Sequence, residues 1–457
     1  MKRILKNILL VGALTAIVCG AASCSAGTAY ELAVKNGFTG TEAEWLQSLH
    51  GANGQDGEDV TAADLYAEAQ KNGFTGTYIE FCQSVLQVGV NEDNDTDTIA
   101  KNVTSVVSIY CGFSQTVGGG MWGNAQSKYY SAAGSGVIID LNKEAGNALI
   151  VTNYHVIYDS SGTTKGISDM IYLYTYGALN RFSPDTGDEY GDGMRATYIG
   201  GAMDYDIALL KIEGSEYLKN SLATEAKFVN SDDICLGEKV FAIGNPDGAG
   251  IAVTGGIISV ESEYITMSST DGKGSVDYRV MRTDAAINHG NSGGALFNAK
   301  GELIGITNAK NVDTDVDNMG YALPSTQVKN LCDNILANQT NGVGMVKVAR
   351  FGIEVTSSAS TPYYDANGNL RIREEFMVAK IISANSAAYN ILKVGDVFES
   401  MSINDGEWIE FKRQYQINDL LLTVRKGDVV KLKIKRDGSE KTVSVNFDKD
   451  NYFEVYR

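Results

Sequence analysis

Apolar positions follow three rhythms along this chain, and each predicts a different kind of element. Tyr30–Leu49 and Tyr66–Val85 are similar stretches offset by 36 residues. In each copy a helix is expected to end at a glycine, Gly37 or Gly73, in a left-handed cap. A second helix then opens on a capping box, Thr41 with Glu44 or Thr77 with Glu80. Trp45 and Leu46 in the first copy, Phe81 and Cys82 in the second, would be its buried face. From about Asn102 the rhythm shortens. Val103–Tyr110, Gly136–Asp140, Ala148–Thr152, Ile171–Tyr176, Ile207–Ile212, Lys239–Ile243, Gly256–Val260, Val280–Thr283 and Glu302–Thr307 read as short strands between turn signals. Many short strands without long intervening helices point to a barrel or sandwich. One helix interrupts them, with Val328, Leu331, Cys332, Ile335 and Leu336 at helical spacing after Pro324-Ser325. Strands return at Val430–Lys435 and Lys441–Phe447.

These rhythms divide the chain into a leader (1–24), two helical repeats (29–86), an acidic solvated linker (87–101), a β-rich domain (102–338) and a further mixed domain (346–450). The leader carries Lys2, Arg3 and Lys6 ahead of an apolar run, Ile8–Val18, too short for a membrane span. Ala21-Ala22-Ser23 then precede Cys24, which resembles a bacterial lipoprotein signal with Cys24 as the lipidated residue. An uncleaved anchor or plain secretion is the alternative, and every version places the rest of the chain outside the cytoplasm. The repeats resemble small modules of Gram-positive surface lipoproteins and carry no cluster of chemistry-bearing residues. They read as a spacer or weak binding module.

Composition changes this picture little. At 457 residues with 44% hydrophobic and 21% charged positions the chain is an ordinary globular protein. Its net charge of −18 argues against nucleic acid as a partner, which would be repelled. Cys82, Cys111, Cys235 and Cys332 are scattered, read as single buried thiols, and imply no disulfide framework. Asp313-x-Asp315-x-Asp317 lacks the glycine and the final carboxylate of an EF-hand loop, with Asn318 and Pro324 in those places, so no metal is expected there.

The chemistry centres on Gly290-Asn291-Ser292-Gly293-Gly294. Glycines let the main chain turn sharply and approach a ligand closely. The N–H groups of Gly290 and Ser292 could then converge on one point as an oxyanion hole. Alone, the segment reads better as an ordinary Gly-Ser turn. The decision rests on a base and an orienting acid. The chain has three histidines. His50 lies in the linker between the repeats, and His289 is too close to Ser292 along a tight turn. His155 ends the apolar strand Leu149–Thr152, where a rigid element can hold an imidazole. For the acid, Asp206 opens the apolar run Ile207–Ile212. Taken singly each residue could be structural. Together they give the chain order His, Asp, Ser.

Thr152–Ile157, Asp206–Ile212, Ala242–Gly248, Val253–Val260, Thr283–Leu296 and Gly320–Pro324 resemble, in order, the motifs of the HtrA/Deg serine proteases. The resemblance spans about Asn102 to Ala337. It implies a mainly β fold, a chymotrypsin/trypsin-like double β-barrel, with Ser292 as nucleophile, His155 as general base, Asp206 as its orienting acid, and the Asn291 N–H joining those of Gly290 and Ser292 at the oxyanion. No cofactor is implied. His289 and Ala295 stand where the family usually has prolines, which predicts less rigid shoulders on the serine turn. Ala286, six residues before the nucleophile, and Ile287 replace the carboxylate of a Lys/Arg pocket, so small or medium aliphatic P1 residues are expected.

In the last domain, Val348–Val355, Gly395–Phe398, Leu420–Val424 and Lys426–Gly438 resemble PDZ elements, with Thr356–Glu375 atypical. A PDZ domain adds a C-terminal peptide as an extra strand. Arg350, Phe351, Gly352 and Ile353 would form that edge. A domain that only packs is the alternative. The resemblance implies a membrane-anchored extracytoplasmic endopeptidase acting on unfolded or damaged polypeptides, and a homotrimer by resemblance alone. A dormant protease acting as a chaperone or binding protein through its PDZ domain and repeats is the rival reading.

Overall fold

The short apolar runs after Asn102 do become strands, and successive residues along them face different cores, which is what a period of two demands. In a computed structural model the described residues are 39, 41, 67, 69–71, 95–117, 126–160, 166–184, 190–308 and 319–457. The signal, Cys24, nearly all of both repeats, Cys82 and the Asp313–Asp317 loop lie outside them.

Helix α1 (Asp95–Asn102) comes first, so the segment read as linker through 101 is helical from Asp95. Asp95 and Asp97 sit in its first turn and Lys101 in its last, the charge order that complements a helix dipole. Strands β1 (Val106–Val117), β2 (Gln126–Asn142) and β3 (Asn147–Thr152) follow, then the single turn α2 (Tyr154–Ile157), β4 (Met170–Thr175), β5 (Thr197–Ala202) and β6 (Ile207–Ile212). The second group is β7 (Lys239–Gly244), β8 (Ala252–Ser268), β9 (Ser275–Thr283), β10 (Ala295–Asn298), β11 (Leu303–Asn308) and β12 (Gly320–Pro324). Helix α3 (Ser325–Ala337) occupies the place its spacing predicts. Beyond it run β13 (Val343–Ala349), β14 (Ile353–Tyr364), β15 (Leu370–Ile381), β16 (Val397–Ile403), α4 (Tyr415–Leu421), β17 (Val429–Arg436), β18 (Ser439–Asn446) and β19 (Phe453–Tyr456).

The second group closes into a six-stranded barrel, β7-β8-β9-β12-β11-β10. The first forms a ten-stranded sheet in the order β13-β5-β6-β3-β2-β1-β4, with Gln339–Thr340 and Met194–Arg195 at its ends and β19 beside β13. Met194–Arg195 pairs with β4 and runs through Ala196 straight into β5, with the Ala196 N–H on the Ile171 carbonyl (2.9 Å), so the two sides of this sheet are drawn round toward each other. Its interior holds Ile109, Ile138, Ile150, Leu173 and Leu210, while the neighbouring Val137, Val151 and Leu209 face a second core. The barrel is filled by Val240, Ala242, Ile258, Met281, Leu296 and Ile304.

That second core also takes in Ile243, Ile306 and Val328 and continues to Phe376, Phe398 and Leu432 of the C-terminal sheet, β14-β15-β16-β17-β18 with Ile409–Glu410 on β16. The C-terminal segment is therefore not set apart: Glu92–Arg457 forms one compact unit. Charge ties it further. Arg279 on β9 is buried between Asp419 of α4 and Asp232 and lies over the Tyr415 ring, 3.4 Å from its centroid. Burial pushes the Asp419 carboxyl up to about 6 against the pull of Arg279. The atypical stretch Thr356–Glu375 is a long hairpin of β14 and β15, whose Arg371 donates to the carbonyls of Asp233 and Ile234, both at 2.6 Å. Cys111 and Cys332 are buried free thiols and Cys235 is half-buried. Among the described residues no helix is long and apolar enough to cross a membrane.

Candidate active site

Asp206 and His155 meet because β3 and β6 are neighbours: Thr152 pairs with Ala208, so the ends of the two strands emerge together. After β5, the 3-10 turn Met203–Tyr205 delivers Asp206 in the left-handed region at φ +51°, a conformation that short polar side chains tolerate better than most. The carboxylate is fully buried and five donor groups surround this residue. Its Oδ2 accepts from His155 Nδ1 at 2.7 Å and from Asn308 Nδ2 at 2.9 Å, and its Oδ1 accepts the His155 N–H at 2.9 Å. The Asp206 carbonyl accepts from Asn153 Nδ2 (3.0 Å) and the Tyr154 N–H (3.1 Å). With a carboxylate as partner, Nδ1 carries the proton, which leaves Nε2 of a neutral imidazole as an acceptor. Burial, reinforced by the negative charge at Asp206, pushes the nearby Tyr278 hydroxyl well above its ordinary range.

The serine turn is built by close approach. Asn288–Asn291 is a β-turn in which the Asn291 N–H closes on the Asn288 carbonyl at 3.0 Å, with Gly290 at φ +87° in its third place, the signature of a type II turn. The His289 carbonyl accepts the Asp247 N–H at 2.8 Å. Carbonyl and N–H of one trans peptide point opposite ways, so the Gly290 N–H faces away from the Asn245–Asp247 loop. This corrects one expectation: the Asn291 N–H is spent on closing the turn and does not serve an oxyanion. It also answers the absence of prolines. Ser135 Oγ donates to the Gly290 carbonyl (2.7 Å) and accepts the Asn245 N–H (2.8 Å). Thr307 Oγ1 donates to the Asn291 carbonyl (2.6 Å), and Gly293 N–H to the Thr307 carbonyl (2.9 Å). Hydrogen bonds from other segments stiffen both shoulders where His289 and Ala295 do not.

Two adjacent residues bring the halves together. On β11, Thr307 holds the serine turn and Asn308 holds Asp206. From the other side, Gly293 lies so close to the end of β3 that an added Cβ would sit 2.3 Å from Thr152 Oγ1 and 3.1 Å from the Asn153 nitrogen, two residues before His155. Ser292 is 5% exposed, and its carbonyl accepts the Ser135 N–H at 2.8 Å. His289 is exposed. Ala286 is exposed as well, with its carbonyl on Thr254 Oγ1 (2.9 Å), whereas Ile287 is buried with its Cδ1 against Gly320.

Asn308, Ser135 and Thr307 are missing from the sequence reading. Each is an ordinary polar residue in or beside a strand, and its partner lies far away in the chain, so no local pattern marks it. In the C-terminal segment Arg350, Phe351, Gly352 and Ile353 line a cavity of about 310 Å³ between β14 and α4. Among the described residues no group of three His, Cys, Asp or Glu is placed to hold a metal.

A family model described as a trypsin-like peptidase domain matches residues 134–306. The serine protease Do-like HtrA of Lactococcus lactis subsp. lactis is 30% identical over 385 residues, 79% of this chain and 84% of that protein. The chain belongs to the HtrA family of serine proteases. The Bacillus subtilis HtrA is also 30% identical, over 325 residues covering 70% of this chain and 64% of that protein, so the chain spans less than two thirds of that relative. The periplasmic serine endoprotease DegP of Escherichia coli is 35% identical over 297 residues, 64% of this chain and 52% of that protein. Among solved structures, HtrA-type protease AlgW with decapeptide aligns over 79% of this chain and 98% of that chain at 22% identity, with a TM-score of only 0.48.

Proposed function

We propose that this HtrA-family chain is an extracytoplasmic serine endopeptidase that cleaves unfolded or damaged polypeptides through an acyl-enzyme. The observation that carries the reading is the buried Asp206 carboxylate gripping both the Nδ1 and the main-chain nitrogen of His155. That grip fixes the ring tautomer so that Nε2 serves as base, and it stabilises the imidazolium that forms. Ser292 Oγ attacks the peptide carbonyl as His155 takes its proton, then His155 returns the proton to the leaving amine. The Gly290 N–H, with that of Ser292, receives the developing oxyanion, a term worth about 3 kcal/mol per donor. Ile287 packed against Gly320 supports an apolar acyl-side pocket suited to small or medium aliphatic P1 residues.

The rest of the reading follows the sequence. Cys24 is the lipid attachment point that anchors the chain to the outer face of the membrane. The unit after α3 is PDZ-like and takes C-terminal peptides along the free edge of β14, with Phe351–Ile353 as its binding loop, and the assembly is a homotrimer. Degradation of unfolded casein by wild type and by Ser292→Ala tests the core of it: turnover by wild type alone is expected. Equal turnover by both proteins would remove Ser292 from the mechanism. Turnover by neither would favour a dormant site on a chaperone. Peptide-library cleavage after Val or Ala is expected, and cleavage chiefly after Lys or Arg would overturn the pocket.

A further inference from the structure

Strand β19 follows the C-terminal sheet in the chain but pairs elsewhere. It runs antiparallel to β13, with Val346 opposite Tyr456 and Ala349 opposite Phe453, and β13 in turn pairs in parallel with β5 at Gly200 and Gly201. Since β5 leads directly into Met203–Tyr205, the end of β19 arrives beside the turn that delivers Asp206. Two contacts join them. A main-chain oxygen of Arg457 accepts the Met203 N–H at 2.9 Å, and the Tyr456 ring stands edge-on to Tyr205 with centroids 5.2 Å apart at 79°. The turn itself is closed by one main-chain bond, Asp206 N–H to the Met203 carbonyl at 3.1 Å. Tyr456 is held from behind by Arg350, which pairs with Glu454 at 2.6 Å, contacts the Tyr456 hydroxyl and lies 5.8 Å from its ring centroid.

We propose that Tyr456 is a positioning residue for Asp206, keeping the Met203–Tyr205 turn in the shape that aims the carboxylate at His155. The proposal rests on the reading of Asp206 as the orienting acid. Asp206 occupies left-handed backbone that costs a non-glycine residue on the order of 1 kcal/mol or more, so the turn relaxes unless its surroundings over-determine it. The aromatic edge at Tyr205 and the bond to Met203 are the part of that constraint supplied by the strand that follows the C-terminal sheet in the chain. Arg350 acquires a second role by the same geometry. Engaged by Glu454 and Tyr456, its guanidinium braces this strand, which leaves a peptide carboxylate in the neighbouring groove to the main-chain N–H groups of the Phe351–Ile353 loop.

The test compares wild type, Tyr456→Ala, Tyr456→Phe and Ser292→Ala as full chains on fluorescein-labelled casein, with the rates of the three proteins that keep Ser292 normalised to the fraction of molecules that finally react with a fluorophosphonate and that of Ser292→Ala taken per total protein. Tyr456→Ala is expected to lower kcat about tenfold at unchanged KM, the scale of a small misalignment of a catalytic group. Tyr456→Phe keeps the ring on Tyr205 and is expected to restore kcat to within about twofold. Tyr456 is half-buried and packs against the core; should the alanine variant fail to fold, Tyr456→Leu, which keeps bulk without a ring, carries the same expectation. An unchanged normalised kcat in the alanine or leucine variant, a loss confined to KM, or failure of phenylalanine to rescue would overturn the proposal. If Ser292→Ala is inactive while Tyr456→Ala matches wild type, this proposal alone fails. If Ser292→Ala still digests casein, the protease reading fails and takes the proposal with it.

Discussion

The Asp206 turn and the Ser292 turn solve one problem in opposite ways. Both hold a polar side chain rigidly beside a stretch of left-handed backbone, at φ +51° for Asp206 and at +87° and +81° for Gly290 and Gly293. The serine turn depends on having no side chains. A Cβ on Gly290 would lie 2.2 Å from the Asn245 carbonyl oxygen, one on Gly293 2.2 Å from that of Ser135, and one on Gly294 2.4 Å from that of Ile243. Its shape is written in its own residues. The aspartate turn contains no glycine and packs no backbone so tightly. Its geometry is imposed by donors from β11, from the end of β3 and from α2, each separately replaceable. One turn should therefore fail all at once and the other by degrees.

Three substitutions would break or sharpen that contrast. Asp206→Asn removes the charge while keeping the shape, and is expected to lower kcat about 10⁴-fold, because the amide favours the wrong imidazole tautomer. Steady-state kinetics on casein reads this, and a drop below tenfold would show that His155 is oriented by something else. Gly290→Ala comes next. The added methyl cannot fit beside Asn245, so the oxyanion donor should move and kcat fall by about 10³-fold. Near-normal turnover in this variant would mean that the turn has slack the packing denies it. The smallest effect is expected from Asn308→Ala, which removes one charge-assisted donor from Asp206 and leaves the contacts to His155 in place. A loss of about tenfold in kcat with the fold intact by circular dichroism fits the value of one such bond. A loss as deep as that of Asp206→Asn would make the aspartate turn as all-or-none as the serine turn.

The same contrast explains what could be read in advance. Glycines at 290, 293 and 294 announce a tight turn, and His155 and Asp206 are found by their places at strand ends and by chain order. The spacing of Val328, Leu331, Cys332 and Ile335 predicts α3 because those residues answer to neighbours a few positions away. Ser135, Thr307 and Asn308 could not be found this way. Ser135 and Gly290 are 155 positions apart and Asn308 and Asp206 are 102, so their roles exist only once both β-systems are folded. The missing prolines at 289 and 295 are visible in the sequence, but the hydrogen bonds that Ser135, Asp247 and Thr307 bring to the turn are not. Counting the Asn291 N–H toward the oxyanion failed because a type II turn consumes the N–H of its fourth residue. Composition likewise marked 87–101 as acidic and solvated, but the order of its charges along the last part suits a helix, and Lys239 supplies a partner for Asp95 at 2.5 Å. The last domain was legible in its strands. Its continuity with the core of the first two β-systems was not, because no apolar residue in Phe376 to Leu432 states which neighbour it will meet.

The central claim is that His155, fixed by Asp206, activates Ser292. The most direct measurement is the rate at which a fluorophosphonate modifies the folded chain, with the adduct located by mass spectrometry in wild type and in His155→Ala. A single adduct on Ser292, formed about 10³-fold or more slowly without His155, is the expected result. An adduct on another serine, or equal rates in the two proteins, would contradict the account.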